Sequence, residues 1–300
     1  MTVGDAAIRG AAFLRAAGLA SPVLDASLLL ADILNTDKVG LILAGPEPLV
    51  EDAYRRFEQS LERRRAGECA AYILGRKEFR GLDFTVTTDV LVPRPDTETL
   101  AEVALSRIDE RTRTRAGVSS PAPLALLDLG TGSGALAVTL KHERSALRVC
   151  ASDISGKALE VARKNALKIL QPTTGGELPI SFIESDLFDR IGASPGPVRF
   201  DFIISNPPYV PTAVLVDLAP EVRREPPLAL DGGKDGLDLI RRIIAEAPPF
   251  LCPGGTLLME ADPDQIRTIA GILESRGYSD IQMYRDLAGQ MRVIGGSYSA

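Results

Sequence analysis

The residues best suited to chemistry in this 300-residue chain are Asn206-Pro207-Pro208-Tyr209. An amide or aromatic amino nitrogen is a poor nucleophile because its lone pair is delocalised. Two acceptors that take both of its N–H bonds bias it toward a tetrahedral shape and aim the lone pair at an electrophile. The side-chain oxygen of Asn206 and the carbonyl of Pro207 can be those acceptors. Pro207 and Pro208 fix the backbone, so aiming costs little entropy at the moment of reaction. Tyr209 offers a flat face to a planar group. Taken alone, the same four residues also describe a strand-ending turn, so the reading depends on what accompanies them.

The second group is Asp128-Leu129-Gly130-Thr131-Gly132-Ser133-Gly134. Three alternate glycines between a strand and a helix let the backbone turn tightly and approach a ligand. The N–H groups at the helix start favour a polar or negative group. Asp153, at the end of the next strand, can accept two hydrogen bonds from ribose hydroxyls. The GxGxG spacing disfavours a nicotinamide dinucleotide, whose loop is GxGxxG. With Asp128 before it, the loop resembles that of the class I S-adenosylmethionine methyltransferases, in which this acid helps hold the methionine end of the cofactor. After the third strand, Asp186 can accept from an adenine amino group, and Leu187 or Phe188 can pack on the ring. An ordinary turn with one buried aromatic residue describes that segment equally well. Sulfonium methyl transfer is an in-line displacement that needs positioning and charge stabilisation more than a strong base. The chain's single histidine, His142, is consistent with that.

Composition excludes several other chemistries. The formal net charge of −6 argues against non-specific phosphate neutralisation and direct nucleic-acid binding. The short basic clusters Arg63–Arg65 and Arg111, Arg113 and Arg115 read as a solvated helix face and a solvated loop. One histidine excludes an all-histidine metal site. Cys69, Cys150 and Cys252 are odd in number and have no CxxC spacing, which fits a reducing compartment without disulfides or structural zinc. No metal is expected. No apolar run approaches the ~20 residues of a membrane span, and the N-terminus has no long apolar stretch or cleavage pattern. The expectation is a cytoplasmic enzyme, mature at its N-terminus.

These residues need a frame. Residues 1 to about 66 show helical spacing, with Ala26, Leu29, Leu30, Ile33 and Leu34 on one face and Val50, Tyr54, Phe57 and Leu61 on another. Alternation from Phe79 to Val92 predicts a β-hairpin. The prolines of Pro93-Arg94-Pro95 stop it, and Asp96 or Thr97 can cap a following helix with Leu100, Val103, Ala104 and Ile108 inside. Residues 111–123 read as a loop. Strands at Leu124–Leu127, Val149–Ala151, Ile180–Ile183, Phe200–Ile204 and Thr256–Met259 alternate with helices from Ala135 and over Lys157–Leu170. Pro253-Gly254-Gly255 reads as a turn into the last strand. The fold class is α/β, a doubly wound and mostly parallel sheet. The boundaries are a helical substrate-recognition domain over 1–78, a hairpin linker over 79–95 and a catalytic domain over 96–300.

The clamp chemistry fits amino-methylating enzymes acting on adenine in nucleic acid and enzymes acting on protein glutamine. Here the chain resembles one family over nearly its full length, the release-factor glutamine methyltransferases. The resemblance is carried by Leu24-Asp25-Ala26-Ser27-Leu28-Leu29, Tyr72-Ile73-Leu74-Gly75, Glu78-Phe79, the glycine loop and Asn206–Tyr209. Glu225-Pro226, Asp235-Gly236-Leu237, Asp286, Gly289 and Arg292 add to it. Pro93-Arg94-Pro95-Asp96-Thr97-Glu98 is its most specific string, and the related ribosomal-protein glutamine methyltransferases differ there. The resemblance implies methyl transfer from S-adenosyl-L-methionine to the amide nitrogen of the Gly-Gly-Gln glutamine in peptide chain release factors. It implies that Gly130–Gly134, Asp153, Leu187 and Asn206 contact the cofactor, that Asn206–Tyr209 hold the glutamine, and that the helical domain contacts the release factor. The chain departs from the family at Leu187, where a tryptophan is common, at Ala261, where a glycine often follows the glutamate, and at 189–198, which resembles a small insertion.

Overall fold

In the computed structural model, residues 1–115, 122–170, 178–192 and 198–299 are described. Two compact units divide the chain: Met1–Arg76 with Leu218–Arg224, and Lys77–Asp217 with Glu225–Ala300.

The first unit consists of helices α1 (Val3–Ala16), α2 (Pro22–Ile33), α3 (Lys38–Leu43), α4 (Glu51–Arg65) and α5 (Ala70–Leu74). Thr2 and Asp5 form a reciprocal capping box at the start of α1. Leu14, Leu29, Leu30 and Phe57 are buried on the facing sides of α1, α2 and α4. In the basic run at the end of α4, Arg63 and Arg65 are exposed, as expected of a solvated face, but Arg64 is not. Arg64 is 5% exposed and places its Nε 2.7 Å from Asp25 Oδ2. Its Nη2 lies 3.4 Å from Glu221 in the returning segment Leu218–Arg224. Arg63 pairs with Glu68 at 2.6 Å, and Arg65 lies over the Phe13 ring. A buried guanidinium needs acceptors on several sides, and Asp25 is the nearest of them.

The second unit begins with a hairpin, β1 (Arg76–Phe79) and β2 (Leu82–Thr85), followed by helix α6 (Pro95–Arg115). The hairpin is earlier and shorter than the 79–95 span expected, because Arg80-Gly81 makes the turn with both residues at positive φ. Then come β3 (Ala125–Leu129), α7 (Ala135–Glu143), β4 (Arg148–Asp153), α8 (Gly156–Ile169), β5 (Ile180–Glu184), β6 (Phe200–Ser205), α9 (Asp238–Glu246), β7 (Leu251–Glu260), α10 (Ile266–Ser275), β8 (Tyr278–Arg285) and β9 (Met291–Tyr298). The sheet order is β5-β4-β3-β6-β7-β9-β8. The pairs from β5 to β7 are parallel, and β9 runs antiparallel to β7 and β8. This is the doubly wound, mostly parallel sheet expected from the sequence.

Alternation along the strands feeds two apolar layers. Leu126, Phe202, Ile204 and Leu258 face the side covered by α6, α7 and α8. Leu127, Leu129, Ile203, Leu257 and Met259 face the side of α9 and α10. Pro253-Gly254-Gly255 lies inside β7, not before it. The paired residues Phe200↔Leu251 and Phe202↔Thr256 show that β7 holds extra residues there as a bulge. The expected loop at 111–123 starts late. Helix α6 runs to Arg115, whose guanidinium lies 2.5 Å from the buried Asp201. Residues 116–121 of that loop, and 193–197 of the apparent insertion, fall outside the described residues.

The buried ion pair yields a test. Asp25→Ala leaves Arg64 buried without its closest carboxylate, and should destabilise the helical unit by roughly 3 kcal/mol. Urea unfolding followed by circular dichroism measures this; a midpoint like that of the unaltered protein would show that Glu221 and the Glu68 carbonyl suffice.

Candidate active site

Strands β3 and β6 are neighbours, and their register sets Leu129 beside Ser205. The chain goes outward from β3 through β4 to β5, then returns to β6 on the other side of β3. Loops after β3 and β6 therefore leave the sheet side by side at a topological switch point, where open α/β sheets bind ligands. The Ser205 hydroxyl donates to the Leu129 carbonyl at 2.8 Å and fastens the two exits together.

A cavity of ≈ 490 Å³ opens there. Of the residues singled out from the sequence, Gly130, Gly132, Asp153, Asp186, Leu187, Asn206 and Pro208 line it. Asp128, Thr131, Ser133, Gly134, Pro207 and Tyr209 do not. The three loop glycines consequently serve different ends. A Cβ on Gly130 or Gly132 would meet no atom within 4 Å, so these two leave room for a ligand against the backbone. A Cβ on Gly134 would lie 3.1 Å from the Ala162 Cβ, so this glycine lets α7 approach α8.

Three carboxylates surround the loop. Asp128 is 1% exposed; its Oδ2 accepts from the Thr131 hydroxyl at 2.6 Å and the Ala137 N–H at 3.2 Å. Its Oδ1 is buried with no hydrogen-bond partner. Burial pushes this carboxyl up to about 7, against those two hydrogen bonds, with Asp153 adding to the rise. Asp153 accepts from the Gly132 and Ser155 N–H groups, each at 2.9 Å. Burial raises its pKa, while these backbone bonds lower it. Asp186 faces Arg242 Nη1 at 3.1 and 3.3 Å, so part of its accepting capacity is engaged. Leu187 is buried with φ 45°, in the left-handed region. A leucine there costs about 1–2 kcal/mol of backbone strain.

Asn206 follows β6. Its side-chain nitrogen donates to Thr97 Oγ at 3.0 Å, which leaves Oδ1 as the accepting end of the amide. Tyr209 donates its hydroxyl to Glu260 Oε1 at 3.1 Å, and its carbonyl accepts from Gln265 at 3.0 Å. Glu260 is fully buried, and its Oε2 has no hydrogen-bond partner. Burial pushes the Glu260 carboxyl up to about 7; the hydroxyls of Thr97 and Tyr209 and the charge of Arg292 oppose that, and Asp96 adds to it. The Tyr209 hydroxyl is raised above its ordinary value by its own burial, then by Glu260.

The string Arg94–Glu98 explains itself through these partners. Arg94 lies 2.5 Å from Glu225, which also accepts from the Val92 N–H at 3.1 Å. Asp96 lies 3.3 Å from Arg292, Thr97 holds Asn206, and Glu98 accepts from the Arg80 N–H at 3.3 Å. Pro95 opens α6, so Asp96 and Thr97 lie in its first turn and not at its cap. Reasoning from single motifs passed over Thr97 and Glu260 as site residues. A glutamate closing the apolar run Leu257-Leu258-Met259 was the available signal for the last. Among the described residues, no cluster of three or more His, Cys, Asp or Glu can hold a metal ion. No helix among them is long and apolar enough to cross a membrane.

Two measurements test this geometry. Gly132→Ala should weaken cofactor binding by at least roughly tenfold with modest loss of stability, whereas Gly134→Ala should lower the melting temperature more than the affinity. Calorimetric titration and thermal unfolding separate the two, and identical behaviour of both variants would refute the division. The second concerns pH. Because folded Asp128 holds its proton more tightly than an unfolded aspartate, its stabilising contribution is complete below 3.8 and is lost as pH rises through about 7. Glu260 adds a slope of the same sign. Asp128→Asn should flatten the fall in urea midpoint between about pH 5 and pH 8, and an unchanged slope would contradict the burial effect.

Known proteins extend these observations. Residues 5–75 match the family model described as the PrmC N-terminal domain, and residues 109–220 match the methyltransferase small domain. A protein named release factor glutamine methyltransferase from Burkholderia pseudomallei (strain K96243) is 43% identical over 279 residues, 92% of this chain and 93% of its own length. One of the same name from Deinococcus radiodurans is 38% identical over 294 residues, 98% of each chain. Among solved structures, the human methyltransferase 10 domain containing protein shares the fold at 14% identity and a TM-score of 0.52, over 73% of this chain and 88% of its own. With a doubly wound sheet, a glycine-loop cavity beside Asn206, and relatives this similar over nearly the whole length, the chain belongs to the release factor glutamine methyltransferase family.

Proposed function

We propose that this enzyme transfers a methyl group from S-adenosyl-L-methionine to the side-chain amide nitrogen of the glutamine in the Gly-Gly-Gln motif of peptide chain release factors. One observation carries the reading: the Asn206 amide, its nitrogen held by Thr97, stands at the rim of the cavity that the glycine loop forms. The relatives' names, which specify glutamine in release factors, support this substrate over adenine.

The residues present fit the cofactor. Gly130 and Gly132 leave the space that a Cβ would take. Asp153 has carboxylate lone pairs left for ribose hydroxyls beyond the two backbone bonds it accepts. The buried, unpartnered Oδ1 of Asp128 favours positive charge nearby, which suits the amino group of a methionine moiety. Leu187 and the Asp186–Arg242 pair form the wall for the base.

When bound, the cofactor supplies a sulfonium methyl and a good leaving group. The protein's task is orientation. Asn206 Oδ1 and the Pro207 carbonyl accept the two N–H bonds of the substrate amide and draw its lone pair out of conjugation. The same acceptors favour the N–H groups as they become acidic on methylation, so no strong base is required. Tyr209, braced by Glu260 and Gln265, offers its ring to the amide plane. The helical unit supplies the grip on the release factor, and the enzyme acts in the cytoplasm, where translation occurs.

Incubation with methyl-labelled cofactor and, separately, a release factor, ribosomal proteins and DNA tests the substrate. Label on the release-factor glutamine is expected; label on DNA or a ribosomal protein alone would reject the assignment. Asn206→Ala should bind cofactor with affinity within a fewfold of the unaltered enzyme and lose at least roughly 100-fold in single-turnover rate. An unchanged rate would remove Asn206 from the clamp.

A further inference from the structure

We propose that the tip of the β8–β9 hairpin, Leu287-Ala288, is a second contact for the release factor, meeting an apolar side chain on the segment that flanks the target glutamine. The inference rests on the function proposed above and adds a surface to it.

The sheet order decides where that segment can run. From Asn206 the cavity extends over the ends of β3, β4 and β5, where Gly130, Asp153 and Asp186 line it. The cofactor takes that direction. The other direction leads over β7 to β9 and β8. Asn206 follows Ser205, whose partner is Met259, so Asn206 is level with Glu260. Glu260 in turn is opposite Val293, and β9 is antiparallel to β7, so the residues before Val293 pass beyond the exit of β7. Arg285 pairs with Met291, and the turn between them therefore stands on the same edge of the sheet as Asn206. With strands about 4.8 Å apart and about 3.3 Å per residue along them, the tip is roughly 15–20 Å from Asn206. An extended chain covers that span in about six residues.

The tip is built to hold one side chain out. Leu287 is fully exposed. A lone exposed leucine needs no explanation by itself, but the backbone beneath this one is fastened on both sides. The Asp286 N–H donates to the Gln290 carbonyl and the Gly289 N–H to the Asp286 carbonyl, each at 2.9 Å. The Gln290 N–H donates to Asp286 Oδ1 at 2.8 Å, and Arg285 Nη1 to the Gly289 carbonyl at 2.5 Å. Gly289, at φ 81°, takes the left-handed position of a three-residue hairpin loop. Asp286 Oδ2 lies 3.4 Å from Arg292 Nε, and Arg292 Nη2 lies 3.3 Å from Asp96, next to the Thr97 that holds Asn206. The tip is thus braced against the same helix turn as the clamp. Asp286, Gly289 and Arg292 do not line the cavity, and all three shape this turn. A leucine held in this way gives up little backbone freedom on binding, so most of its burial counts toward affinity.

Steady-state kinetics on a full-length release factor test this with Leu287→Ser, Leu287→Met and Leu167→Ser. Leu287→Ser should raise the KM for release factor roughly tenfold, with kcat and the cofactor Kd within about twofold. Leu287→Met keeps an apolar side chain of similar reach and should stay within about threefold of the unaltered enzyme. Leu167 is an exposed leucine on α8, and Leu167→Ser should change nothing. All three should melt within about 2 °C of the unaltered protein, as surface substitutions do. A benzophenone amino acid placed at position 287 should crosslink on irradiation to release-factor residues within about eight positions of the glutamine. An unchanged KM for Leu287→Ser, an equal rise for Leu167→Ser, an effect confined to kcat, or crosslinks only to a distant part of the release factor would each overturn the proposal while leaving the functional reading intact. A release factor left unmethylated by the unaltered enzyme would reject that reading, and the hairpin contact with it.

Discussion

The pairing of β3 with β6 is the constraint on which the site depends. Because Leu129 and Ser205 are register partners, the glycine loop and the Asn-Pro-Pro-Tyr segment emerge next to each other. No side chain has to reach across the sheet to bring them together. The parallel ladder does this with backbone hydrogen bonds, and the Ser205–Leu129 bond adds a lock at the exit. A one-residue slip would exchange the faces of Leu127 and Ile203 between two apolar layers of different shape, so the same burial that stabilises the sheet also fixes the distance between the two loops.

Around that frame, polar residues are used in proportion to the order they impose. Glu225, Glu260, Asp128 and Asp201 are almost wholly buried, which is costly for a carboxylate unless donors converge on it. Glu225 gathers Arg94 and the Val92 N–H; Asp201 gathers Arg115 and the Ala125 N–H. These two are satisfied and structural. Asp128 and Glu260 each retain a buried oxygen without a donor, and both lie next to the functional loops.

Much of this was legible in the sequence, for physical reasons that differ by element. Strands such as Leu126–Leu127 and Phe202–Ile204 are buried on both faces, so their apolar runs stand out. The glycine loop announces itself because backbone approach needs glycine. The contrast between Gly132 and Gly134 was not legible, since both are glycines and the nearest atom that distinguishes them belongs to Ala162, 28 residues away in the chain. The last two strands, β8 and β9, were passed over: β8 exposes much of its length, and β9 carries Gly295-Gly296 in its middle. Helix α6 ran past its expected end because its last arginines are held by a partner 86 residues on, at Asp201. The Thr97–Asn206 bond likewise joins residues 109 positions apart, a separation that no local pattern encodes.

The segment Leu218–Arg224 gives the molecule a property of modularity. Its contacts belong to the helical unit: Glu221 meets Arg64, and Arg224 donates to the Ala66 carbonyl. Yet in the chain it lies between Tyr209, which follows β6, and Pro226 of the cavity wall. The helical unit is therefore not an N-terminal attachment that can be exchanged as a block. A chimera taking residues 1–76 from a relative inherits half of a matched set, and the seven residues that complete it must travel with them.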